Sequence, residues 1–305
     1  MRVKLDSLLE YRNCPNCGEN DFTVLFESNM VESDFQEGIG TVYMLPGAKY
    51  GRHVKCSNCH LIYVNPIENG ERIKEGYSQR KSVDASIIQE SRLHAAKAQI
   101  GLIKKYKKGT SLLDRGCAEG FFLYNASKAG YATKGVELSQ DAAEYAQKEF
   151  GLDVEAGRFE ESRFAGNCFD VVTLWQVLEH LPYPLTTLKE VYRILKPGGL
   201  VVVSTPDIRS ITARIFRKRW WNITRLHINQ FTTKMLKAIL ENAGFKNISS
   251  VHYRESVSLL MLLIPMLRYL KAYKPPKGLL YGKIMNKIIV PYPSTIIACT
   301  VLGFK

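Results

Sequence analysis

Four cysteines stand in two matched pairs, Cys14-Pro-Asn-Cys17 and Cys56-Ser-Asn-Cys59, with 38 residues between the pairs. Each Cys-x-x-Cys turn offers two thiolates, and four sulfurs closing on one ion make the tetrahedral site that structural Zn²⁺ prefers. Cys14, Cys17, Cys56 and Cys59 are therefore the candidate zinc ligands, with rubredoxin-type iron or four free thiols as the alternatives. Seven cysteines in 305 residues are too few for a disulfide scaffold, and the pairing reads as metal binding in a reducing compartment. Residues 1–67, with a sparse core, need a staple of this kind to fold. The other three, Cys117, Cys168 and Cys299, lie in apolar contexts and are expected to be buried thiols.

A second constellation follows in Leu112-Leu-Asp-Arg-Gly-Cys-Ala-Glu-Gly120, a strand running through a glycine turn into a helix start. Such a turn lets backbone approach a ligand closely while helix amides face it. Gly116 and Gly120 do not have the dinucleotide-binding spacing, and Asp114 just ahead of them would repel a pyrophosphate but suit a cationic ligand. Glu137 ends the next strand, where a carboxylate can accept from both hydroxyls of a ribose. The plainer alternative is a tight strand–helix turn with a capping acid.

The elements that must hold these residues alternate in period. Residues 1–67 carry short β-type runs around the cysteines, and Gly70 to Ser82 is polar and linker-like. Val83 to Lys108 has an apolar helical face. Strands are expected at 111–114, 132–137, 152–155, 169–174 and 200–204, and helices at 120–129, 141–150 (capped by Ser139) and 184–195. Strands alternating with helices mean a parallel sheet with right-handed crossovers. An amphipathic helix, Thr232 to Ala243, and strands Asn247 to Tyr253 and Thr295 to Phe304 complete the chain.

Composition narrows the class. With 46% apolar and 10% aromatic residues the chain is neither disordered nor fibrous. The longest charge-free apolar run, Val257 to Leu267, is too short and too Pro-interrupted to span a bilayer, and the N-terminus does not read as a signal peptide. A cytoplasmic location is expected, with association at the inner membrane face as a further expectation. The formal charge of +13 is uneven: residues 207–305 hold 17 Lys/Arg against three acids, a net of +14. Such a block attracts an anionic surface or substrate, unless it is only a solvated face.

The glycine turn, Glu137 and four later stretches together make a specific resemblance. The stretches are Gly135-Val-Glu-Leu-Ser, Gly157-Arg-Phe-Glu ahead of Phe169-Asp-Val-Val-Thr-Leu, Val177-Leu-Glu-His-Leu-Pro, and Leu195-Lys-Pro-Gly-Gly with the strand after it; Leu236 to Phe245 extends the match. In this order they resemble class I S-adenosylmethionine-dependent methyltransferases of the branch holding ubiquinone-pathway and sugar or glycan enzymes. Arg52 to Pro66 is similar to the zinc ribbon that precedes such domains in many glycan-cluster members. The resemblance covers roughly residues 85–255. It implies an α/β fold: a Rossmann-like seven-stranded methyltransferase sheet with one antiparallel strand at Thr295–Phe304, a small N-terminal zinc ribbon and a C-terminal helical, basic cap region. The implied division is 1–67 zinc ribbon, 68–206 cofactor-binding core and 207–305 cap with the last strands.

Carried onto this chain, the resemblance puts Asp114, Gly116 and Gly120 around the methionine part of S-adenosyl-L-methionine, Glu137 on its ribose, Phe159 against its adenine and Gln176 on the floor near the sulfonium. Two positions depart from the family. Arg115 replaces an apolar residue and should point away from Asp114, where it must reach a carboxylate or solvent or else damage the site. Ala118 replaces a third glycine and is expected to be tolerated with a negative φ.

Methyl transfer from a sulfonium is an in-line displacement in which positioning does much of the work, and a base is needed for a hydroxyl or carbon acceptor. His180, just after the fourth strand, is the first candidate base and His227 the second; alternatively Glu179 and His180 only orient the local chain. The exocyclic-amine signature and a Pro-Cys nucleophile are both missing, which disfavours nucleic-acid bases. Asp207–Arg225, with Trp220 and Trp221, and Ser256–Tyr281 mix cations with apolar residues, as an interfacial membrane binder, a lid or a stacking surface would. The reading that results is a methyltransferase using S-adenosylmethionine and Zn²⁺, acting on a small or lipid-linked saccharide or isoprenoid acceptor, with an anionic membrane surface as partner and nucleic acid less favoured. RNA methylation and a scaffold impaired by Arg115 are the rival readings.

Overall fold

The computed structural model describes residues 8–36, 48–70, 72–73, 85–258 and 288–305, so most of Ser256–Tyr281 and of the 70–82 linker lies outside the described residues. In chain order the strands begin with β1 (Leu9–Glu10), β2 (Phe22–Phe26), β3 (His53–Cys56), β4 (Ile62–Val64) and β5 (Ile67–Glu68). The next five are β6 (Ser111–Arg115), β7 (Ala132–Glu137), β8 (Val154–Ala156), β9 (Phe169–Trp175) and β10 (Leu195–Pro206). The last five are β11 (Asn229–Gln230), β12 (Lys246–Val251), β13 (Arg254–Ser258), β14 (Ile289–Pro293) and β15 (Ala298–Phe304). The helices are α1 (Glu32–Gln36), α2 (Ala85–Tyr106), α3 (Phe121–Lys128), α4 (Gln140–Phe150), α5 (Pro184–Ile194), α6 (Ile211–Phe216) and α7 (Thr233–Asn242).

The main sheet has seven strands in the order β12-β15-β10-β9-β6-β7-β8. β6 through β10 run parallel, and β15 alone opposes its neighbours β10 and β12, as the resemblance implied. The two central strands explain why the sheet sits inside. Val171, Val172 and Leu174 of β9 and Leu200 to Val203 of β10 are fully buried, so both faces are covered, by one apolar cluster on each side. Local chemistry sets the helix ends: Ser139 Oγ accepts from Ala142 N, Thr232 Oγ1 from Met235 N, and Gly151 closes α4 at φ 64°.

The cysteine-bearing strands form a second, antiparallel sheet ordered β11-β4-β3-β2. Its fourth member comes from far along the chain, for Asn229 pairs with Tyr63 and Gln230 with Ile62. Arg12 clamps the same junction. Its buried guanidinium donates to Val64 O, to Ile228 O at 3.1 Å, to Asn229 Oδ1 at 3.2 Å and to Pro182 O. Four carbonyl-type oxygens surround the guanidinium, Val64 O taking both Nε and Nη2, which is how a buried arginine is tolerated without a carboxylate. The N-terminal sheet is thereby built into the core, and no helix among the described residues is long and apolar enough to cross a membrane.

Trp220 and Trp221 are 1% and 8% exposed, inside a small cluster with Ala213 and Ile223, and the Trp220 indole donates to Thr212 Oγ1. This corrects the expectation of a stacking or lipid-facing aromatic surface. Those rings are large enough to supply the Asp207–Arg225 segment with a core of its own, so they turn inward. Cys117 and Cys299 are buried as expected, whereas Cys168 is only half-buried, its thiol donating to Ala165 O.

Candidate functional site

The site grows from the ends of three parallel strands. β6 delivers Asp114 into the sheet, 2% exposed, where Thr173 Oγ1 of β9 donates to its Oδ1 at 2.6 Å. Burial, opposed by that hydrogen bond and reinforced by the nearby Glu137 charge, lifts Asp114 to about 8. A carboxyl in this state is poised to exchange its proton for a bound cation. Thr173 was not foreseen, although a lone hydroxyl in the apolar run that follows Asp170 in the Phe169-Asp-Val-Val-Thr-Leu-Trp strand is the signal that marks it.

The turn after β6 needs its glycines. Gly116 (φ 75°) and Gly120 (φ 80°) are left-handed; a Cβ at Gly116 would sit 2.6 Å from Val177 Cγ2, and one at Gly120 would meet Leu152 and Ala146 below 3 Å. Ala118 also has positive φ, 48°, against the expectation of a negative value. The reason is geometric: the residue must turn its amide to Glu137, whose Oε2 accepts from Ala118 N and Oε1 from Ser139 N, both at 2.9 Å. Glu137 is thus fixed at the end of β7, half-buried. Glu119 in the same turn is 1% exposed, and its Oε2 has no hydrogen-bond partner among the described residues.

Arg115 points away from Asp114 and reaches a carboxylate. Its Nη2 lies 3.4 Å from Glu160 Oε1, and its guanidinium stands 5.4 Å over the Phe159 ring. Burial alone would raise Glu160, but Arg115 and the Thr187 hydroxyl hold it below its ordinary value. Phe159 itself is 2% exposed and packs near Phe164, its ring under Arg115. Gln176 closes β9 exposed, in the left-handed region at φ 56°, with its amide on Ser204 O and its Nε2 3.3 Å from Ser204 Oγ.

Just beyond Gln176 the two candidate bases come together with an acid. His180 and His227 stack edge to face with centroids 4.7 Å apart, and ligand atoms of Glu179, His180 and His227 all lie within 4.8 Å of one another. Both rings have Nδ1 against a backbone carbonyl, His180 on Leu226 O at 3.0 Å and His227 on Asn222 O at 2.8 Å. A carbonyl can only accept, so Nδ1 carries the proton in each ring and Nε2 is the basic atom. Glu179 is fully buried, with the Thr205 hydroxyl nearby and no well-formed hydrogen bond to either carboxyl oxygen among the described residues. Burial raises Glu179 to about 8 and lowers His227 to about 4, so both are neutral at pH 7. The trio can move a proton or hold a divalent cation.

The four sulfurs of Cys14, Cys17, Cys56 and Cys59 also converge within 4.8 Å, with Cys14–Cys59 at 3.4 Å and Cys17–Cys56 at 3.5 Å. A tetrahedron of Zn–S bonds of about 2.3 Å has edges of roughly 3.8 Å. All-thiolate ligation at this spacing suits zinc. The cofactor side passes a comparable test: a buried acid inclined to a cation, a second carboxylate at the neighbouring strand end, and glycines where any side chain would clash.

Residues 88–250, just over half of the chain, match the family profile described as "Methyltransferase domain". Among curated proteins, the ubiquinone biosynthesis O-methyltransferase of Pseudomonas entomophila is 34% identical over 103 residues, 32% of this chain and 44% of that protein. The enzyme of the same name from Methylococcus capsulatus is 36% identical over 111 residues, 34% of this chain and 46% of that protein. The chain therefore spans less than half the length of these relatives. Among solved structures, a SAM-dependent methyltransferase from Archaeoglobus fulgidus aligns with TM-score 0.51 at 20% identity, covering 73% of this chain and 98% of that one. Phosphoethanolamine N-methyltransferase 2 of Haemonchus contortus, in complex with S-adenosyl-L-methionine, aligns with TM-score 0.52 at 17% identity, covering 79% and 62%. At these identities the structures establish the fold, and the profile match establishes the kinship. The chain belongs to the class I S-adenosylmethionine-dependent methyltransferases, distant from the ubiquinone O-methyltransferases and carrying an N-terminal four-cysteine cluster of zinc-ribbon type.

Proposed function

We propose that the protein transfers a methyl group from S-adenosylmethionine to a hydroxyl on a small or lipid-linked acceptor, of isoprenoid rather than saccharide character. The observation that carries the first half is the buried Asp114 beside Glu137: one carboxyl awaiting a cation, the other aimed from the next strand end with its loop amides already fixed. S-adenosylmethionine would supply an electrophilic methyl from its sulfonium. Asp114 would take the ammonium of the methionine part and Glu137 the ribose hydroxyls.

His180 is the base this reading chooses. With Nδ1 donating to Leu226 O, its Nε2 is the basic atom to take the acceptor's hydroxyl proton, while His227, lowered to about 4, is too weak for that task at neutral pH. Once His180 becomes imidazolium, the Glu179 carboxyl 3.9 Å from its Nε2 can accept a hydrogen bond from the new N–H. The test is methyl transfer from labelled donor to apolar alcohols and prenols, together with calorimetric titration by S-adenosylhomocysteine. His180→Gln should cut turnover by about 10²–10³-fold and leave the titration unchanged; equal activity in the variant would remove His180 from the chemistry.

A second reading of the same trio has a specific support. Two imidazoles with backbone-fixed Nδ1 and a buried carboxyl within 4.8 Å of them are a donor set for a divalent cation. Loss of turnover in EDTA, restored by Mg²⁺ or Mn²⁺, would favour it over the metal-free base.

The reading of an anionic membrane as partner draws on α6, where Ile211 and Ile215 are 59% and 66% exposed one turn apart, with Arg214 between them and Arg217, Lys218 and Arg219 just after. Sedimentation with phosphatidylglycerol vesicles that falls in Ile211→Ser/Ile215→Ser is the expected result.

A further inference from the structure

A cavity of about 80 Å³ opens where the cysteine-bearing sheet meets the core. Leu9, Met30, Phe35 and Ile73 line it from the N-terminal side, and Leu226 and His180 from the core side. His180 follows Val177, and Val177 is the residue that a Cβ on Gly116 would strike.

We infer that this cavity is the methyl-acceptor site, and that residues 9–73, the cysteine-bearing part of the chain, build the wall that selects the acceptor. The inference rests on the methyltransferase reading and adds where the acceptor lies and what it is. All the N-terminal lining residues precede residue 88, outside the segment shared with the methyltransferase family, so selectivity here belongs to this chain's own addition to the fold.

Size and charge define the occupant. At roughly 10–15 Å³ of such space per water, the cavity holds about six waters, the bulk of a single six-membered ring or a short branched chain and no more. Of the three charged side chains on its wall, Arg225 and Glu68 pair with each other, and Arg52 bonds a backbone carbonyl. Arg225 forms a bidentate pair with Glu68, with Nη2 at 2.7 Å, donates Nη1 to Asp34 O, and lies over the Phe35 ring. Arg72 adds a second contact to Glu68 at 3.2 Å. Arg52 gives its Nε to Asn65 O. The Ser28 hydroxyl is taken up by Tyr50 O and Met30 N, the rest of the wall is mostly aliphatic or aromatic, and desolvating a sugar's several hydroxyls against it would leave most of them unmatched. The acceptor is therefore an uncharged, largely apolar alcohol, ring-sized at the reacting end, with its hydroxyl toward His180.

The test uses the full-length zinc-loaded protein with cyclohexanol and methyl glucoside as probes, each titrated with and without S-adenosylhomocysteine and followed by protein NMR. Cyclohexanol should bind in the millimolar range and shift the His180 ring signals, and methyl glucoside should bind at least tenfold more weakly. Met30→Trp, which fills the cavity from the N-terminal side, should abolish cyclohexanol binding and leave the S-adenosylhomocysteine affinity within twofold. Met30→Ala should admit the bulkier 4-tert-butylcyclohexanol. If cyclohexanol fails to bind, binds equally well to Met30→Trp, or is outcompeted by methyl glucoside, the inference is overturned. If S-adenosylhomocysteine itself fails to bind, the methyltransferase reading falls instead, and the alcohol titration without it still decides whether the cavity takes such a ligand.

Discussion

The proton on Asp114 makes a sharp prediction about cofactor binding. The carboxyl is 2% exposed, its one strong hydrogen bond comes from Thr173, and its pKa lies at about 8. A cationic ligand binds the ionised form. At pH 7 only about a tenth of the sites are ionised, so binding must first expel a proton at a cost of about 1.4 kcal/mol, a tenfold loss of affinity. Affinity for S-adenosylhomocysteine should accordingly rise about tenfold from pH 6 to 7, more gently to pH 8, and level off above it. At pH 7, about 0.9 proton should be released per ligand bound, measurable as calorimetric enthalpies that differ between phosphate and Tris buffers. Asp114→Asn keeps an acceptor for Thr173 but has no proton to lose, so its weaker binding should be flat with pH and release none. The same shift acts on folding. The folded pKa lies above the unfolded value of about 3.9, so between pH 4 and 8 the unfolded chain is the more ionised state, and stability declines as pH rises through that window. Asp114→Asn should therefore be more stable than the natural protein at pH 8, on the order of 2–4 kcal/mol. A natural protein whose affinity is level from pH 6 to 8, with no buffer dependence, would refute the reasoning and leave Asp114 ionised throughout.

Other changes test separate parts of the fold. Cys56→Ser should reduce bound zinc from one ion per chain to none by elemental analysis, and lower Tm through the N-terminal sheet, since metal ligation and folding of such a module are one equilibrium. Ala118→Gly should stabilise the protein by about 1 kcal/mol in urea unfolding, because φ 48° strains an alanine but not a glycine. Asp170 accepts from Ser111 N, Ser111 Oγ, Thr110 N and Lys196 Nζ, and these partners outweigh its burial and hold its pKa far below the usual carboxylate range. That contribution to stability is present above about pH 4 and is lost on acidification, and Asp170→Asn should remove about 1.5–3 kcal/mol at pH 7. Arg115→Ile should change S-adenosylhomocysteine affinity only a few-fold, because its partner Glu160 is half exposed and the guanidinium leaves Asp114 alone.

What could be seen in the sequence was what has a local period or a fixed spacing. The strand–helix alternation, the Ser139 and Thr232 caps and the two Cys-x-x-Cys turns depend on residues a few positions apart or on strands whose hydrophobicity is unbroken, and the family resemblance supplied the seven-stranded sheet and the roles of Asp114 and Glu137. The junction that makes the proposed acceptor site has no such signature. Arg225 meets Glu68 across 157 residues, Arg12 meets Ile228 across 216, and β11 is two residues long, too short for any periodicity. A basic segment containing two tryptophans was open to reading as a surface, because composition cannot say which side of a short helix is covered; in the fold the rings are inside while Ile211 and Ile215 remain out. Ala118 failed for a different reason. Its backbone obeys the Glu137 carboxylate, and the need to turn one amide outweighs the preference of the residue type. In each case the feature the sequence hid lies where the N-terminal sheet and the core were joined, or where a ligand is to be held. The two places meet at His180. On that proposal the part of the chain that carries the cysteine quartet decides what a methyltransferase core acts upon, because Phe35 and Met30, which precede the core, line the same cavity as His180 and set the bulk that reaches it.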